Sequence, residues 1–307
     1  MPDDIITTIG LLIITANSLF VTAANLRQFN RPHTEREPGA VGRNLFILST
    51  LIAAGVLIYR SVVVHYSWAP LQSHVDGLLL LLTVLNAIVL YLVVMHRLRG
   101  VGLFAGPLLT VIGLWGFCAS WWTFARFDDV GSVPKVLHLL TAYSAAAAVG
   151  LTAALGGMFL YVQRQLRRRD DPAKRVRVLE GLSTLESIEA WLMRAALAAF
   201  VLLTVTVALG LVESTSDNAT AFLIDPKVIG GVVVWVLFGL INHARFAPQL
   251  RGTRSAWMGL TGFVMLLIVL AMAITLTGCA RTSGNIHVGS DGPAAVNIGG
   301  GVTIETK

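Results

Sequence analysis

Residues 136–162 read VLHLLTAYSAAAAVGLTAALGGMFLYV and contain no Asp, Glu, Lys or Arg. A helix needs about 20 predominantly apolar residues to cross the hydrocarbon core of a bilayer, and this run is longer than that. Because lipid cannot hydrogen-bond to backbone N–H and C=O groups, we predict that the segment is helical. We also expect the helix to continue past the membrane toward Arg164, where the sequence becomes basic.

Seven other stretches have the same apolar character, and all eight together predict an all-α polytopic membrane bundle of about eight transmembrane helices. The seven are residues 5–25, 44–64, 76–95, 102–124, 191–212, 228–244 and 256–277. We therefore assign residues 1–277 to one transmembrane domain. The polar, Gly-rich tail at 278–307 is predicted to be external, and either disordered or a small strand-forming appendage.

A basic connector at 164–190 lies between the fifth and sixth predicted spans. Within it, Ser183 and Glu186 have the spacing of a helix capping box. We therefore predict that a helix begins at Ser183 and runs into the sixth span.

The overall composition excludes several classes of protein. Of the 307 residues, 55% are hydrophobic and only 13% are charged, and the mean hydropathy is +0.73. Soluble domains carry about 25% charged residues, so an ordinary water-soluble fold is excluded, and so is a disordered chain. The net charge of +6 does not indicate a nucleic-acid partner, because the basic residues are scattered between apolar runs. The expected surroundings are membrane lipid.

The distribution of Lys and Arg between successive connections predicts the orientation. Sixteen lie in the connections after spans 1, 3, 5 and 7, and only five lie in the segments on the opposite side. Basic loops stay in the cytoplasm, so both termini are expected on the non-cytoplasmic side.

Histidines at the ends of the spans are the candidate ligands. His74 and His138 lie at predicted outer ends and His243 at an inner end, and imidazole is a common axial ligand of haem iron. Asp76 either orients the imidazole of His74 as a hydrogen-bond acceptor or is a solvated carboxylate at a helix start. His65, which closes span 2 on the outer side, is either a further outer ligand or, in the favoured interpretation, an interfacial amphipathic residue.

Aromatic and basic residues near these histidines allow two interpretations. Trp121 and Trp122 form either an interfacial aromatic belt or an apolar platform for a flat ligand such as a porphyrin. Arg126 on the outer side and Arg245 on the inner side would then pair with the ligand's propionates.

Three motifs place the sequence near a known group of membrane proteins. They are His138 followed by Tyr143-Ser144, the Leu185-Glu186 connector, and Asp225-Pro226-Lys227 followed by Trp235 and Asn242-His243. Over residues 70–277 the chain resembles the CcsA/ResC/HemX-like cytochrome c assembly family. The resemblance implies that His138 is an outer haem ligand and His243 an inner one.

The chain departs from this family where haem lyases carry a Trp-rich "WWD" segment, since residues 213–224 contain no Trp. The resemblance therefore implies a HemX-like member without lyase activity. We expect it to lie in a bacterial cytoplasmic membrane, to bind haem b and to pass haem between inner and outer sites. We also expect it to interact with other cytochrome c assembly proteins. The alternative is a scaffold or regulatory subunit without haem.

The predicted orientation can be tested with reporter tags. Tags at Met1 and Lys307 should both report the non-cytoplasmic side, because the Lys/Arg bias places both termini there. A tag after Arg177 should report the cytoplasm. A cytoplasmic signal from the tag at Lys307 would contradict the eight-span arrangement.

Overall fold

A computed structural model describes residues 5–30, 40–65, 71–98, 100–121, 133–167, 182–214, 226–244, 246, 251–279, 296–298 and 302–304. Eight α-helices account for most of these residues. They are α1 (Ile5–Asn30), α2 (Ala40–Tyr59), α3 (His74–Val94), α4 (Val101–Trp121), α5 (Val133–Arg167), α6 (Leu185–Ser214), α7 (Pro226–His243) and α8 (Thr253–Cys279). A π-helical turn at Arg60–Val64 ends α2. In the tail, β1 (Val296–Ile298) pairs with β2 (Val302–Ile304) in antiparallel register.

The predicted all-helical membrane fold is confirmed. Seven of the helices are long and apolar enough to cross a membrane, while the apolar part of α7, Val228–His243, is shorter. The fifth helix extends to Arg167, as its sequence predicted. The sixth helix begins at Leu185, two residues after the predicted start at Ser183, and the Thr184 hydroxyl accepts a hydrogen bond from the Ser187 backbone N–H at 3.4 Å.

The eight helices form two rings of four. In the first ring α1 contacts α2 and α4, and α3 contacts the same two helices. In the second, α5 contacts α6 and α8, and α7 contacts those two. The rings meet where α5 packs against α3 and α4. We call the end of the bundle with the Arg-rich connections the inner end, and the opposite end the outer end.

Small residues allow several of these helices to approach one another closely. A Cβ atom added to Gly106 of α4 would lie 2.2 Å from Thr22 Oγ1 of α1. One added to Gly156 of α5 would lie 2.8 Å from the backbone oxygen of Ala256 in α8. Membrane helices gain little from apolar burial against each other, so such close van der Waals packing is a main source of their association.

The contact between the two rings depends on Gly77 of α3. A Cβ atom at this position would lie 1.9 Å from Tyr143 Cζ of α5. The Tyr143 ring therefore occupies the space that any other side chain at residue 77 would need. This contact brings the outer ends of α3 and α5 together.

We predict that Gly77→Ala destabilises the protein by about 1–3 kcal/mol, because the added methyl group forces the Tyr143 ring to move. Thermal unfolding of the detergent-solubilised protein measures the effect. Gly55→Ala is the matched control, because nothing lies within 4 Å of a Cβ atom there. The control should be neutral or slightly stabilising, since Ala is the better helix former. Equal melting temperatures for the two variants would contradict the packing argument.

Candidate functional site

The first turn of α3, at its outer end, contains a buried carboxylate. Asp76 is 0% exposed and forms a capping box with Ser73. Its Oδ2 atom accepts hydrogen bonds from the Ser73 backbone N–H at 2.9 Å and the Ser73 hydroxyl at 2.8 Å. The backbone N–H of Gln72 donates to the same oxygen at 3.2 Å. A carboxylate in this position is not solvated, which excludes the interpretation of Asp76 as an exposed helix-start residue.

Arg60, in the π-helical turn after α2, balances the charge of this carboxylate. Its Nε–H donates to Asp76 Oδ1. One of its terminal nitrogens donates to Thr7 Oγ1 of α1 at 3.2 Å, and the other donates to Ser73 Oγ at 3.1 Å. A single guanidinium therefore connects α1, α2 and α3. A charge inside a predicted span indicates a functional or structural role, and that signal could have identified Arg60 from the sequence.

His65 completes this cluster. Its side chain is only 3% exposed, and its Nε2 lies 3.1 Å from Asp76 Oδ2. Because an ionised carboxylate only accepts hydrogen bonds, Nε2 carries the hydrogen. The Nδ1 atom of His65 is buried without a hydrogen-bond partner. The interpretation of His65 as an interfacial residue is therefore wrong, and the imidazole bonded to Asp76 is that of His65. We call Arg60, His65, Ser73 and Asp76 the outer polar cluster.

His74, the first residue of α3, is also buried, at 5% exposure. Its Nδ1 lies 3.5 Å from the hydroxyl of Tyr143 in α5. His74 therefore lies at the contact between the two rings, beside the outer polar cluster. Sequence reasoning singled out Tyr143 only as part of a motif and did not detect this contact.

His138, in the first turns of α5, has a different partner. Its Nδ1 lies 3.0 Å from the backbone oxygen of Thr206 in α6. A carbonyl oxygen can only accept, so Nδ1 carries the hydrogen and Nε2 keeps its lone pair. A hydrogen bond between the Thr206 and Thr141 hydroxyls, at 3.2 Å, connects the same two helices. The structure thus holds His138 against α6 and His74 beside Tyr143, rather than as a contacting pair.

The inner candidate, His243, is the last residue of α7 and is exposed. Its backbone oxygen accepts a hydrogen bond from the Phe246 N–H at 2.9 Å. The preceding Asn242 donates to the backbone oxygen of Ala196 in α6 at 3.1 Å, which fixes this end of α7 against its neighbour. Arg245 lies outside the described residues.

The aromatic platform predicted on the outer side is described only in part. Trp121, the last residue of α4, is 57% exposed. Its ring lies 6.1 Å from that of Phe117. Trp122 and Arg126 lie outside the described residues.

Of these residues, His138 could serve as an axial ligand of a prosthetic group such as haem. Among the described residues, no three His, Cys, Asp or Glu side chains come together as a metal-ion site. A haem iron needs only one or two imidazoles from the protein, since the porphyrin supplies the other four ligands. His138 fits this requirement, because its Nε2 lone pair is available.

We predict that Asp76→Asn destabilises the protein by about 3–5 kcal/mol, because it leaves the buried Arg60 without a counter-charge. Thermal unfolding in detergent measures the effect, with Glu186→Gln in the exposed first turn of α6 as the control, which should cost less than about 1 kcal/mol. The double variant Arg60→Met/Asp76→Asn should recover much of the loss, because no unpaired charge then remains buried and the side-chain amide oxygen at residue 76 can still accept hydrogen bonds from Ser73. Wild-type stability for Asp76→Asn would refute the role given to this ion pair.

Comparisons with known proteins identify the family of this chain. The family model for cytochrome C assembly protein matches residues 71–276. The chain is similar to cytochrome c biogenesis protein CcsA from Oryza sativa, with 29% identity over 84 residues. It is also similar to the proteins of that name from Saccharum officinarum and Zea mays, each with 30% identity over 83 residues.

These matches to individual proteins are short. Each covers 27% of this chain and 26% of the relative. No solved structure matches the chain. The family model, in contrast, covers all the residues from the start of α3 to the last turns of α8. The chain is a multi-pass membrane protein and belongs to the cytochrome c assembly protein family.

Proposed function

We propose that this protein binds haem b in a bacterial cytoplasmic membrane and passes it from an inner site at His243 to an outer site at His138 during cytochrome c biogenesis. The observation that carries the proposal is the hydrogen bond from His138 Nδ1 to Thr206 O, at 3.0 Å. Membership of the cytochrome c assembly family supports the same role. In this proposal the protein is a HemX-like member of the family, which handles haem but does not attach it covalently to cytochrome c. Its partners are other cytochrome c assembly proteins.

The outer site follows from the state of the His138 imidazole. With Nδ1–H bonded to a carbonyl, the ring is held in one tautomer and one orientation, and Nε2 becomes more basic. Nε2 is also the ring nitrogen farther from Cβ, so a bulky porphyrin can approach it. Haem, when bound, supplies the iron that this nitrogen ligates.

The inner site rests on an exposed imidazole at a fixed helix end. Asn242 anchors the end of α7 to α6 through its bond to Ala196 O, so the adjacent His243 has a defined position at the inner end. In this proposal Arg245 neutralises a haem propionate through a charge-assisted hydrogen bond. An iron-ligating histidine at this end would be the first to bind haem that is made in the cytoplasm.

The remaining predicted residues have supporting roles in the proposal. Trp121 and Trp122 offer apolar surface to the porphyrin, and Arg126 pairs with a propionate on the outer side. His74 is a second outer ligand, and to act as one it has to leave its buried position beside Tyr143. Asp76 acts by fixing the outer end of α3 through the outer polar cluster.

A scaffold without haem is the second candidate function. The observation that favours it is the burial of two outer imidazoles, since His65 is bonded to Asp76 and His74 lies beside Tyr143. In this alternative the outer histidines only hold helices together. The two candidates predict different haem contents for the purified protein.

We expect His138→Ala and His243→Ala to weaken haem binding by about tenfold or more, because even the loss of a residue supporting a metal ligand costs that much affinity. Haem content after purification and titration with haem b measure the effect. His243→Ala should lose at least as much haem as His138→Ala, because the outer site is filled through the inner one. His96→Ala, at the inner end but outside both sites, is the control and should match wild type.

Rescue distinguishes a lost ligand from a damaged fold. Imidazole added to His138→Ala should partly restore the visible spectrum of the bound haem, by occupying the vacated coordination position. Full haem content in both His138→Ala and His243→Ala would overturn the proposed ligands. A wild-type protein that binds no haem would favour the scaffold.

A further inference from the structure

Four polar and aromatic side chains meet at the inner end, in the gap between α3 and α6. The His96 ring lies 4.4 Å from that of Trp191 and 4.9 Å from that of Tyr91. His96 Nε2 and the Tyr91 hydroxyl are 3.0 Å apart. The guanidinium of Arg194 lies 4.7 Å above the Trp191 ring. We call these four residues the inner aromatic cluster, and none of them belongs to the two proposed haem sites.

The lengths of the helices place this cluster at the membrane boundary. The third helix has 21 residues, which is about the length needed to cross the hydrocarbon core. His96, just beyond its inner end, therefore lies at the level of the lipid headgroups. The ring contact puts Trp191 at the same level, so the first turns of the 30-residue α6 extend past the boundary. Trp and Tyr are enriched at this depth.

Arg194 of the cluster and Arg97, which follows His96, have no acidic partner among the described residues. The ion pairs found there both involve Asp76, at the outer end. Arg194 and Arg97 are both exposed at the inner end. Arg97 lies in the turn between α3 and α4, where its φ is 49°. The Arg194 guanidinium lies over the Trp191 ring, and the planar fork of its N–H donors can bind a phosphate in a bidentate manner.

Exposed apolar side chains lie beside the cluster on the last turn of α3. Tyr91 is 51% exposed, Val94 is 40% exposed and Met95 is 69% exposed. These residues belong to the lipid-facing side of α3 and can contact an acyl chain whose headgroup lies at Arg194. A cationic group above an apolar strip matches the two parts of an anionic phospholipid.

We propose that the inner aromatic cluster, with Arg97, is a binding site for an anionic phospholipid of the inner leaflet, with the lipid phosphate held by Arg194. Basic sites between helices on the cytoplasmic side are a known setting for such headgroups. The site is independent of haem, so its test does not depend on the proposed function.

Native mass spectrometry of the full chain in detergent tests the site, with phosphatidylglycerol and phosphatidylcholine added in turn. Wild type should retain phosphatidylglycerol in preference to phosphatidylcholine. Arg194→Gln should weaken phosphatidylglycerol binding by about fivefold, the contribution of one basic residue near an anionic surface. Arg254→Gln is the matched control, because Arg254 is exposed at the same end and, in the part of the chain that the structure describes, the cation–π contact is that of Arg194. It should behave as wild type.

Two further measurements complete the test. Arg194→Lys keeps the charge but lacks the planar fork, so its affinity should lie between those of wild type and Arg194→Gln. Inorganic phosphate at the same concentration should not displace the lipid. Equal phosphatidylglycerol binding by wild type and Arg194→Gln would overturn the proposal, as would an equal loss in Arg254→Gln or displacement of the lipid by phosphate.

Discussion

The buried carboxylate of Asp76 is the constraint on which the outer half of the structure depends. A charge at a fully buried position near the membrane is tolerated only when opposite charge and hydrogen-bond donors surround it. Arg60, His65 and Ser73 supply these groups, and Arg60 also reaches Thr7. The ends of α1, α2 and α3 are consequently fixed relative to one another, and the π-helical turn places Arg60 where it can make these bonds.

The fixed start of α3 in turn determines where α5 lies. Gly77, one residue after Asp76, leaves room for the Tyr143 ring, and His74 lies beside the Tyr143 hydroxyl. Farther out along α5, His138 contacts Thr206 of α6. The contact of His74 with Tyr143 and the α5 helix itself therefore connect the outer polar cluster to the proposed ligand. The outer polar cluster itself contains no nitrogen well suited to haem iron. The Nε2 of His65 is hydrogen-bonded to Asp76. Its Nδ1 is buried and is the ring nitrogen closer to Cβ.

The sequence predicts the helices well because lipid leaves the backbone few options. The apolar runs identify all eight helices, and the basic residues after Val162 identify the extension of α5 to Arg167. Contacts between helices are less predictable, because they depend on rotation about each helix axis and on local turns. The π-helical turn brings His65 to Asp76, whereas sequence distance favoured His74 as its partner. At the start of α6 the Thr184 hydroxyl also accepts a bond from the Ser187 N–H, which a Ser183–Glu186 spacing alone does not predict.

The central claim is that histidine nitrogens of this chain ligate haem iron, and electron–nuclear double resonance of the 307-residue protein tests it most directly. Protein with ¹⁵N-labelled histidine would be purified, loaded with haem b and compared with an unlabelled sample. We predict that haem stays bound through gel filtration and that the labelled sample shows ¹⁵N-histidine hyperfine coupling to the ferric iron. Haem that separates from the protein, or bound haem whose spectrum is identical in the two samples, would contradict the account.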